Sequence, residues 1–171
     1  MEAPVIYLTD EEKAMCDEYA EKFHAEIKEK GIPDAHDGEP DLNDERFGHR
    51  SEYALSKYLG VPWTAKITRD KLSPDVGTRT QVRSSYRFDY HRLIIRPKDM
   101  RKYGEDQLYV LVLHSEDGGH ILAGWCHASE RNVLGKFGNM GVVNRRTGKP
   151  RPPCWFIERD NLHPITEIKN P

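Results

Sequence analysis

The spacing of apolar residues changes once along this chain, and that change limits the folds open to it. Before residue 60, apolar side chains recur every three or four positions, as on one face of a helix. From Thr78 onward they alternate or form short unbroken runs, as in strands. Helices followed by a group of strands predict an α/β fold with a mixed central β-sheet flanked by helices. The chain has 171 residues, an ordinary size for one such domain.

Two amphipathic helices are expected in the N-terminal third. The first, over 10–30, begins with Thr9 and Glu12 at the spacing of a capping box. In that motif a hydroxyl and a carboxylate each accept a main-chain N–H at the helix start. The apolar stripe of this helix recurs every four residues, at Met15, Tyr19, Phe23 and Ile27.

The second helix is expected over 44–59, with Gly60 as its C-terminal stop. Gly48 lies inside this helix, where a glycine costs roughly 1 kcal/mol relative to alanine. Close packing, or the close approach of a substrate, would explain a glycine there. The apolar residues placed for burial are Phe47, Ala54, Leu55, Tyr58 and Leu59.

Four strands should follow, each with an alternating pattern or an apolar run. The third, LYVLVLH, is apolar almost throughout, as expected for a strand covered on both faces. The four strands are expected at 78–85, 90–96, 108–114 and 120–127.

Shorter elements are expected around these strands. Residues 97–103 are typical of a short helix or turn, and Ser129 is expected to cap another one. The stretch 135–153 is rich in glycine, proline and basic residues, which predicts a mobile loop. A last strand and a tail should follow from Cys154.

We expect a single folding unit, in which an N-terminal helix and acidic linker, residues 1–43, pack on a core of residues 44–171. No run approaches the roughly 20 apolar residues of a membrane span, and the N-terminus lacks the basic and apolar regions of a secretory signal. The three cysteines are far apart with no CxxC pair, which favours buried free thiols over a zinc site. Free thiols indicate a reducing compartment, so we expect a cytoplasmic protein.

The net charge of −2 hides an uneven distribution. Residues 1–65 contain 16 acidic and 7 basic residues, whereas residues 66–102 contain 4 acidic and 11 basic residues. A positive segment beside acidic groups suits a protein that holds phosphates near a metal. The alternative is a solvated surface whose charges cancel in three dimensions. The chain has neither a GxGxxG nor a GxxxxGK[ST] motif, so nucleotide binding through those loops is not supported.

Oxygen-bearing side chains cluster around the first predicted strand. Gln81 and Arg83 should share one face of that strand while Val82 points into the core, because alternate side chains share a face. If Asp75 lies where the chain enters the strand, Glu52 could approach from the neighbouring helix. Mg²⁺ prefers oxygen ligands in octahedral geometry, so carboxylates, an amide oxygen and a main-chain carbonyl form a plausible site.

Several segments, in this order, resemble the PD-(D/E)xK nuclease superfamily, in particular its small phage and bacterial members. The resemblance covers roughly residues 44–168. The matching segments are GHRSEYALSKYLGVPW, SPDVGTRTQVRSSYR, RLIIRPKD, YVLVL, AGWCHASE and WFIERDNLHPI. It implies a restriction-endonuclease-like core and a Mg²⁺- or Mn²⁺-dependent nuclease acting on nucleic acid, with DNA favoured. It also implies a bacterial or phage-infected cell as the setting and a possible homodimer.

The resemblance assigns roles by position. Glu52 and Asp75 match the acidic metal ligands, and the Val82 main-chain carbonyl would assist them. Gln81 stands at the second acidic position, where it keeps an oxygen ligand but removes a charge. Arg83 stands at the lysine position; it can hold a phosphate, but an arginine stays protonated in proteins and cannot plausibly give up a proton. These two departures leave open a second hypothesis: a catalytically inactive module that binds nucleic acid or a protein partner.

Further residues are candidates for supporting roles. Glu45 lies two helical turns before Glu52, on nearly the same face, and is an additional metal-ligand candidate. His49 could contact a phosphate or act as an acid. Asp99 is expected to cap a short helix. The nucleic-acid-binding candidates are Arg79, Arg87, Lys98, Arg145, Arg146 and Lys149.

Overall fold

The structure is a computed structural model in which the long helices and the strands fall into separate parts of the chain. It describes residues 2–32, 41–66, 73–86, 92–139, 148–150 and 152–171. The helices are α1 (Asp10–Glu29), α2 (Leu42–Leu59), α3 (Pro97–Tyr103) and α4 (Arg131–Leu134). The strands are β1 (Val5–Ile6), β2 (Thr80–Ser85), β3 (Arg92–Ile95), β4 (Leu108–His114), β5 (His120–His127), β6 (Lys136–Gly138) and β7 (Cys154–Glu158). Single 3-10 turns lie at Ala128–Glu130, Arg159–Asn161 and Ile165–Glu167.

The strands form two sheets. The four-stranded sheet has the order β1-β5-β4-β2, with β2 parallel to β4 and the other pairs antiparallel. The second sheet is antiparallel throughout, with the order β3-β7-β6. The predicted α/β class, with a mixed sheet flanked by helices, is therefore confirmed. The strand predicted at 90–96 belongs to the second sheet rather than to the mixed one.

Strand β4 separates two apolar clusters, and this divides the protein into layers. Its even-numbered residues from Leu108 to Val112 pack toward Leu55 of α2. Its odd-numbered residues from Tyr109 to Leu113 pack toward β3 and β7. Every residue of the strand except His114 is buried. The mixed sheet thus lies between the α1–α2 layer and the second sheet, and the apolar run of β4 follows from cover on both faces.

Helix α1 packs on α2 through small residues and ion pairs. The Thr9–Glu12 capping box is present as predicted. The fully buried line is Cys16, Ala20 and Ile27, whereas Met15, Tyr19 and Phe23 of the expected stripe are only half-buried. The sequence thus placed the first two buried positions one residue too early, at Met15 and Tyr19 instead of Cys16 and Ala20. The ion pairs that join α1 to α2 include Arg50–Asp17, Arg46–Glu21 and Lys57–Glu12, with nitrogen-to-oxygen distances of 2.5, 2.6 and 2.8 Å.

Helix α2 begins two residues earlier than predicted and ends where predicted. Asp41 caps it by accepting the Asn43 N–H at 2.9 Å, and Gly60 follows it with φ 66°. Phe47, Ala54 and Leu55 are buried as expected, while Tyr58 and Leu59 are half-buried. Among the described residues, no atom outside the helix backbone lies within 4 Å of a Cβ built at Gly48. The expectation that close packing explains Gly48 is therefore wrong.

The C-terminal half contains two small departures from the expected elements. Ser129 does not cap a helix; instead the Glu130 carboxylate accepts the His127 N–H at 2.8 Å, at the start of a 3-10 turn that leads into α4. The stretch predicted as a loop over 135–153 contains β6, and its residues 140–147 and 151 lie outside the described ones. Strand β1 was not expected either. The three cysteines are free and buried as predicted.

No helix among the described residues has the length and apolar character needed to cross a bilayer.

Gly48 offers a test of the packing around α2. We expect Gly48→Ala to raise the free energy of unfolding by about 1 kcal/mol, because alanine suits a helix interior and the added methyl group meets open space. Urea denaturation of both proteins measures it. Gly60→Ala is the matched control and should lower stability, since Gly60 has a left-handed backbone. A less stable Gly48→Ala variant would contradict this account.

His120 should make stability depend on pH. It is 3% exposed, packs on the Phe47 ring at 5.8 Å, and its Nδ1 has no hydrogen-bond partner among the described residues. Burial, with the charge of His114, lowers its pKa to about 4. Below pH 6.5 His120 is therefore protonated in the unfolded chain, whereas in the folded chain it remains neutral down to about pH 4.

The expected result is a loss of up to about 3 kcal/mol of stability between pH 6.5 and 4 from this residue. His120→Phe should remove that part of the pH dependence, because phenylalanine fills the same apolar site and does not titrate. Denaturation of both proteins at a series of pH values measures the difference. Parallel pH profiles for the two proteins would show that His120 is not buried in neutral form.

Candidate active site

Two carboxylates from separate elements lie close enough beside β2 to interact electrostatically. Glu52 lies on α2 and is half-buried, and Asp75 lies in the turn before β2 and is 8% exposed. Burial raises the pKa of Glu52 well above its usual range, and the negative charge of Asp75 raises it further. Lys66 and a hydrogen bond from the Trp63 indole at 3.1 Å act in the opposite direction. The structure thus brings together the two acidic residues singled out from the sequence.

Asp75 is held in place by hydrogen bonds to both of its carboxylate oxygens. The Val82 N–H donates to Oδ2 at 2.8 Å, and the Lys66 ammonium donates to Oδ1 at 2.6 Å. Its own N–H donates to the Thr80 carbonyl at 2.8 Å. Because β2 is the last strand in the order of the mixed sheet, the Val82 N–H that Asp75 accepts lies at the sheet edge. The carboxylate therefore joins the turn, the strand and the segment after α2.

Lys66 is the site residue that the sequence did not reveal. Its side chain is 13% exposed and that of Asp75 is 11% exposed, so the pair is well buried. The same ammonium lowers the pKa of Glu52, and so it acts on both carboxylates. No local pattern marks this lysine. The only signal was its position at the start of the basic segment, nine residues before Asp75.

His49 links α2 to the Lys66 main chain. It is 4% exposed, and its Nδ1 and Nε2 lie 2.9 and 3.0 Å from the carbonyl oxygens of Glu45 and Lys66. Both ring nitrogens thus face main-chain acceptors, and the tautomer decides which carbonyl receives the N–H. His49 was singled out for a phosphate contact or an acid role; the structure places it between main-chain carbonyls. Glu45, the additional ligand candidate, contributes to raising the pKa of Glu52.

Gln81 and Arg83 lie on the face of β2 that points away from α2. Val82 packs in the cluster with Leu55, as predicted for the residue between them. The Arg83 guanidinium lies over the Tyr109 ring at 5.1 Å, on the side of the second sheet. Gln81 is 2% exposed, and its Nε2 lies 3.5 Å from Gln107 Oε1. The sheet edge thus separates these two residues from the Glu52 side chain.

Arg83 is engaged in a buried ion pair. Its Nη2 donates to Asp99 Oδ2 at 2.9 Å, and its Nη1 donates to the Val82 carbonyl at 3.1 Å. Burial favours protonation of Asp99, but the charges of Arg83 and Arg96 outweigh it and hold the pKa of Asp99 below its usual range. Asp99 also accepts the Arg96 N–H at 3.1 Å, which is the helix cap predicted for it. The carbonyl proposed as a metal ligand therefore already accepts a hydrogen bond.

The donors at this edge suit a hard divalent cation. Among the described residues, no group of three or more histidine, cysteine, aspartate and glutamate side chains is placed to hold a metal. The candidate set is instead two carboxylates, of Glu52 and Asp75, with the Val82 carbonyl at the same strand edge; the Gln81 amide, on the other face of β2, is not placed to join them. Mg²⁺ is commonly held by one or two carboxylates and several waters. Glu52 and Asp75 thus supply the number of carboxylates that a magnesium or manganese ion commonly uses, and the Lys66 ammonium is the positive charge now bound to Asp75.

Among the described residues, the nucleic-acid-binding candidates do not form one surface. The Arg79 guanidinium donates to the Asn170 and Lys169 carbonyls at 2.9 and 3.4 Å, so the C-terminal residues hold it. Lys98 on α3 and Lys149 after β6 are exposed. The remaining three candidates lie outside the described residues: Arg87, Arg145 and Arg146.

The Arg83–Asp99 pair can be tested by a double-mutant cycle. We expect Arg83→Met to lower the free energy of unfolding by about 2–4 kcal/mol, because it leaves the Asp99 carboxylate buried without its partner. Asp99→Asn keeps an oxygen for the Arg96 N–H. The double variant should be more stable than the sum of the two losses predicts. Additive losses in urea denaturation would show that the pair contributes no coupling.

Comparisons with protein-family models, with curated proteins and with solved structures found no match for this chain.

Proposed function

We propose that this protein is a Mg²⁺- or Mn²⁺-dependent nuclease that hydrolyses phosphodiester bonds in nucleic acid, with DNA as the favoured substrate. The observation that carries the proposal is the pair of carboxylates, Glu52 and Asp75, at the edge of β2. Burial and the negative charge of Asp75 both disfavour the ionised form of Glu52. A shared divalent cation would remove the cost of ionising Glu52. A restriction-endonuclease-like core belongs to the same proposal.

In this proposal Glu52 and Asp75 hold the metal, assisted by the Val82 carbonyl. The Gln81 amide, predicted from the sequence as a further ligand, lies on the other face of β2 and takes no part. The bound metal would activate a water molecule and neutralise charge on the phosphodiester. Two protein donors orient the carboxylates: the Trp63 indole N–H on Glu52 and the Val82 N–H on Asp75. Because Trp63 is bridged to Val76 in the segment after α2 and Val82 lies in a strand, the carboxylates are set in place before substrate binds.

The setting and the assembly state remain part of the proposal. A bacterial or phage-infected cytoplasm would supply both nucleic acid and millimolar magnesium. Two copies of the chain acting as a homodimer could cut both strands of a duplex.

A second candidate function is a catalytically inactive module that binds nucleic acid or a protein partner. Specific contacts favour it. Both Asp75 oxygens already accept hydrogen bonds, and Arg83 is bound to Asp99 and to the Val82 carbonyl. Gln81 also lacks the charge of an acidic ligand. In that case these polar groups stabilise the β2 edge and no longer carry out chemistry.

Cleavage assays separate the two candidates. Plasmid, linear, single-stranded DNA and RNA substrates would be incubated with Mg²⁺ or Mn²⁺. We expect metal-dependent cleavage by the wild-type protein and a loss of at least about 100-fold in Asp75→Asn and Glu52→Gln, as for other groups that stabilise charge directly in an active site. Glu11→Gln is the matched control, because Glu11 is exposed on α1. Its cleavage rate should not change.

As the pH is lowered, cleavage activity should begin to fall at a higher pH than it would if the metal ligand were a glutamate of ordinary pKa. The cause is the raised pKa of Glu52, which is protonated, and so a poorer metal ligand, at pH values where an exposed glutamate is ionised. No cleavage of any substrate by the folded wild-type protein would favour the inactive module. Cleavage by Asp75→Asn at the wild-type rate would remove the site from the proposal.

A further inference from the structure

The Lys66 ammonium is a buried cation to which the proposed function assigns no role. It lies 2.6 Å from Asp75 Oδ1 and also acts on Glu52. We propose that Lys66, rather than Arg83, is the phosphate-binding cation of this site, held on Asp75 until a divalent metal takes its place there. This inference rests on the proposed nuclease function.

Charge balance supports this assignment. Metal binding requires both carboxylates in the ionised form, and with one ammonium they carry a net charge of about −1. A divalent metal then brings the site to about +1, which the single negative charge of a phosphodiester neutralises. Without the ammonium, the metal and the two carboxylates already balance, so the phosphodiester would meet no net positive charge from these groups. Lys66 therefore changes from partner of a carboxylate to partner of the substrate when metal binds.

Arg83 is poorly placed for the same task. Its guanidinium is bound to Asp99 at 2.9 Å and lies against the Tyr109 ring. Moving it to a phosphate would leave the Asp99 side chain, which is 9% exposed, without its cation. Arg83 also lies on the side of β2 away from Glu52. The buried pair thus fixes Arg83 as a structural residue.

The main chain around Lys66 is anchored, so that only its side chain needs to move. The Lys66 carbonyl lies 3.0 Å from His49 Nε2 on α2. Two residues earlier, the Thr64 N–H donates to the Asp75 carbonyl at 3.3 Å, and Trp63 forms a β-bridge with Val76. A lysine on a fixed main chain can exchange one oxygen partner for another nearby, because its four-carbon stem is flexible.

The test combines metal binding with cleavage. Calorimetric titration with Mn²⁺ alone would compare wild type with Lys66→Met, and with Lys57→Met as the matched control. Lys57 is an α2 lysine paired with Glu12 on the outside of the protein. We expect Lys66→Met to bind Mn²⁺ at least about 10-fold more tightly, because a competing positive charge is gone, yet to cleave at least about 100-fold more slowly. Lys57→Met should match wild type in both.

Lys66→Gln keeps a donor for Asp75 and provides the same test if the methionine variant does not fold. Cleavage by Lys66→Gln or Lys66→Met at the wild-type rate would overturn the role of Lys66 and leave the nuclease proposal intact. Unchanged or weaker Mn²⁺ binding in a folded Lys66 variant would overturn the competition between lysine and metal. Wild-type protein that cleaves no substrate would overturn the nuclease proposal, and this inference with it.

Discussion

The Asp75 carboxylate is the contact on which the candidate site depends. Its two oxygens bind the Val82 N–H of β2 and the Lys66 ammonium of the segment after α2. One short side chain therefore joins a turn, a sheet edge and the end of the helical layer. A buried carboxylate is tolerated only when its oxygens are satisfied, and here the same contacts that satisfy them also bring Glu52 and Lys66 together. The geometry of the site therefore follows from the hydrogen bonds that satisfy the buried Asp75 carboxylate.

A second buried ion pair lies on the opposite face of the same strand. Arg83 and Asp99 connect β2 to α3, while Asp75 and Lys66 connect β2 to the helical layer. Arg83 reaches Asp99 through its side chain, whereas Asp75 reaches β2 through the Val82 main-chain N–H at the sheet edge. Strand β2 thus carries a charged contact on each side, although only the Asp75 side has a second carboxylate nearby. Because of this difference, we place the proposed metal site on the side of β2 that faces α2, and we assign Arg83 a structural role.

Much of the fold could be predicted from local patterns, but the partners within the site could not. Strands β4 and β5 begin and end where predicted, because their apolar runs are bounded by polar turns. Strands β1 and β6 have two and three residues; such short strands are set by the partners they pair with, and a periodic pattern cannot reveal them. Glu52 and Asp75 could be singled out from their order along the chain. The Lys66–Asp75 and Arg83–Asp99 pairs depend on how loops fold back in space, which no spacing in the sequence specifies.

The central claim is that Glu52 and Asp75 together hold a divalent metal beside Lys66. Its most direct test is the anomalous scattering of Mn²⁺ in crystals of the wild-type protein soaked in a manganese salt. The account predicts an anomalous peak between the two carboxylates, with the Lys66 ammonium moved away from Asp75 Oδ1. Crystals that show no peak there, with Lys66 still bound to Asp75 at saturating manganese, would contradict it.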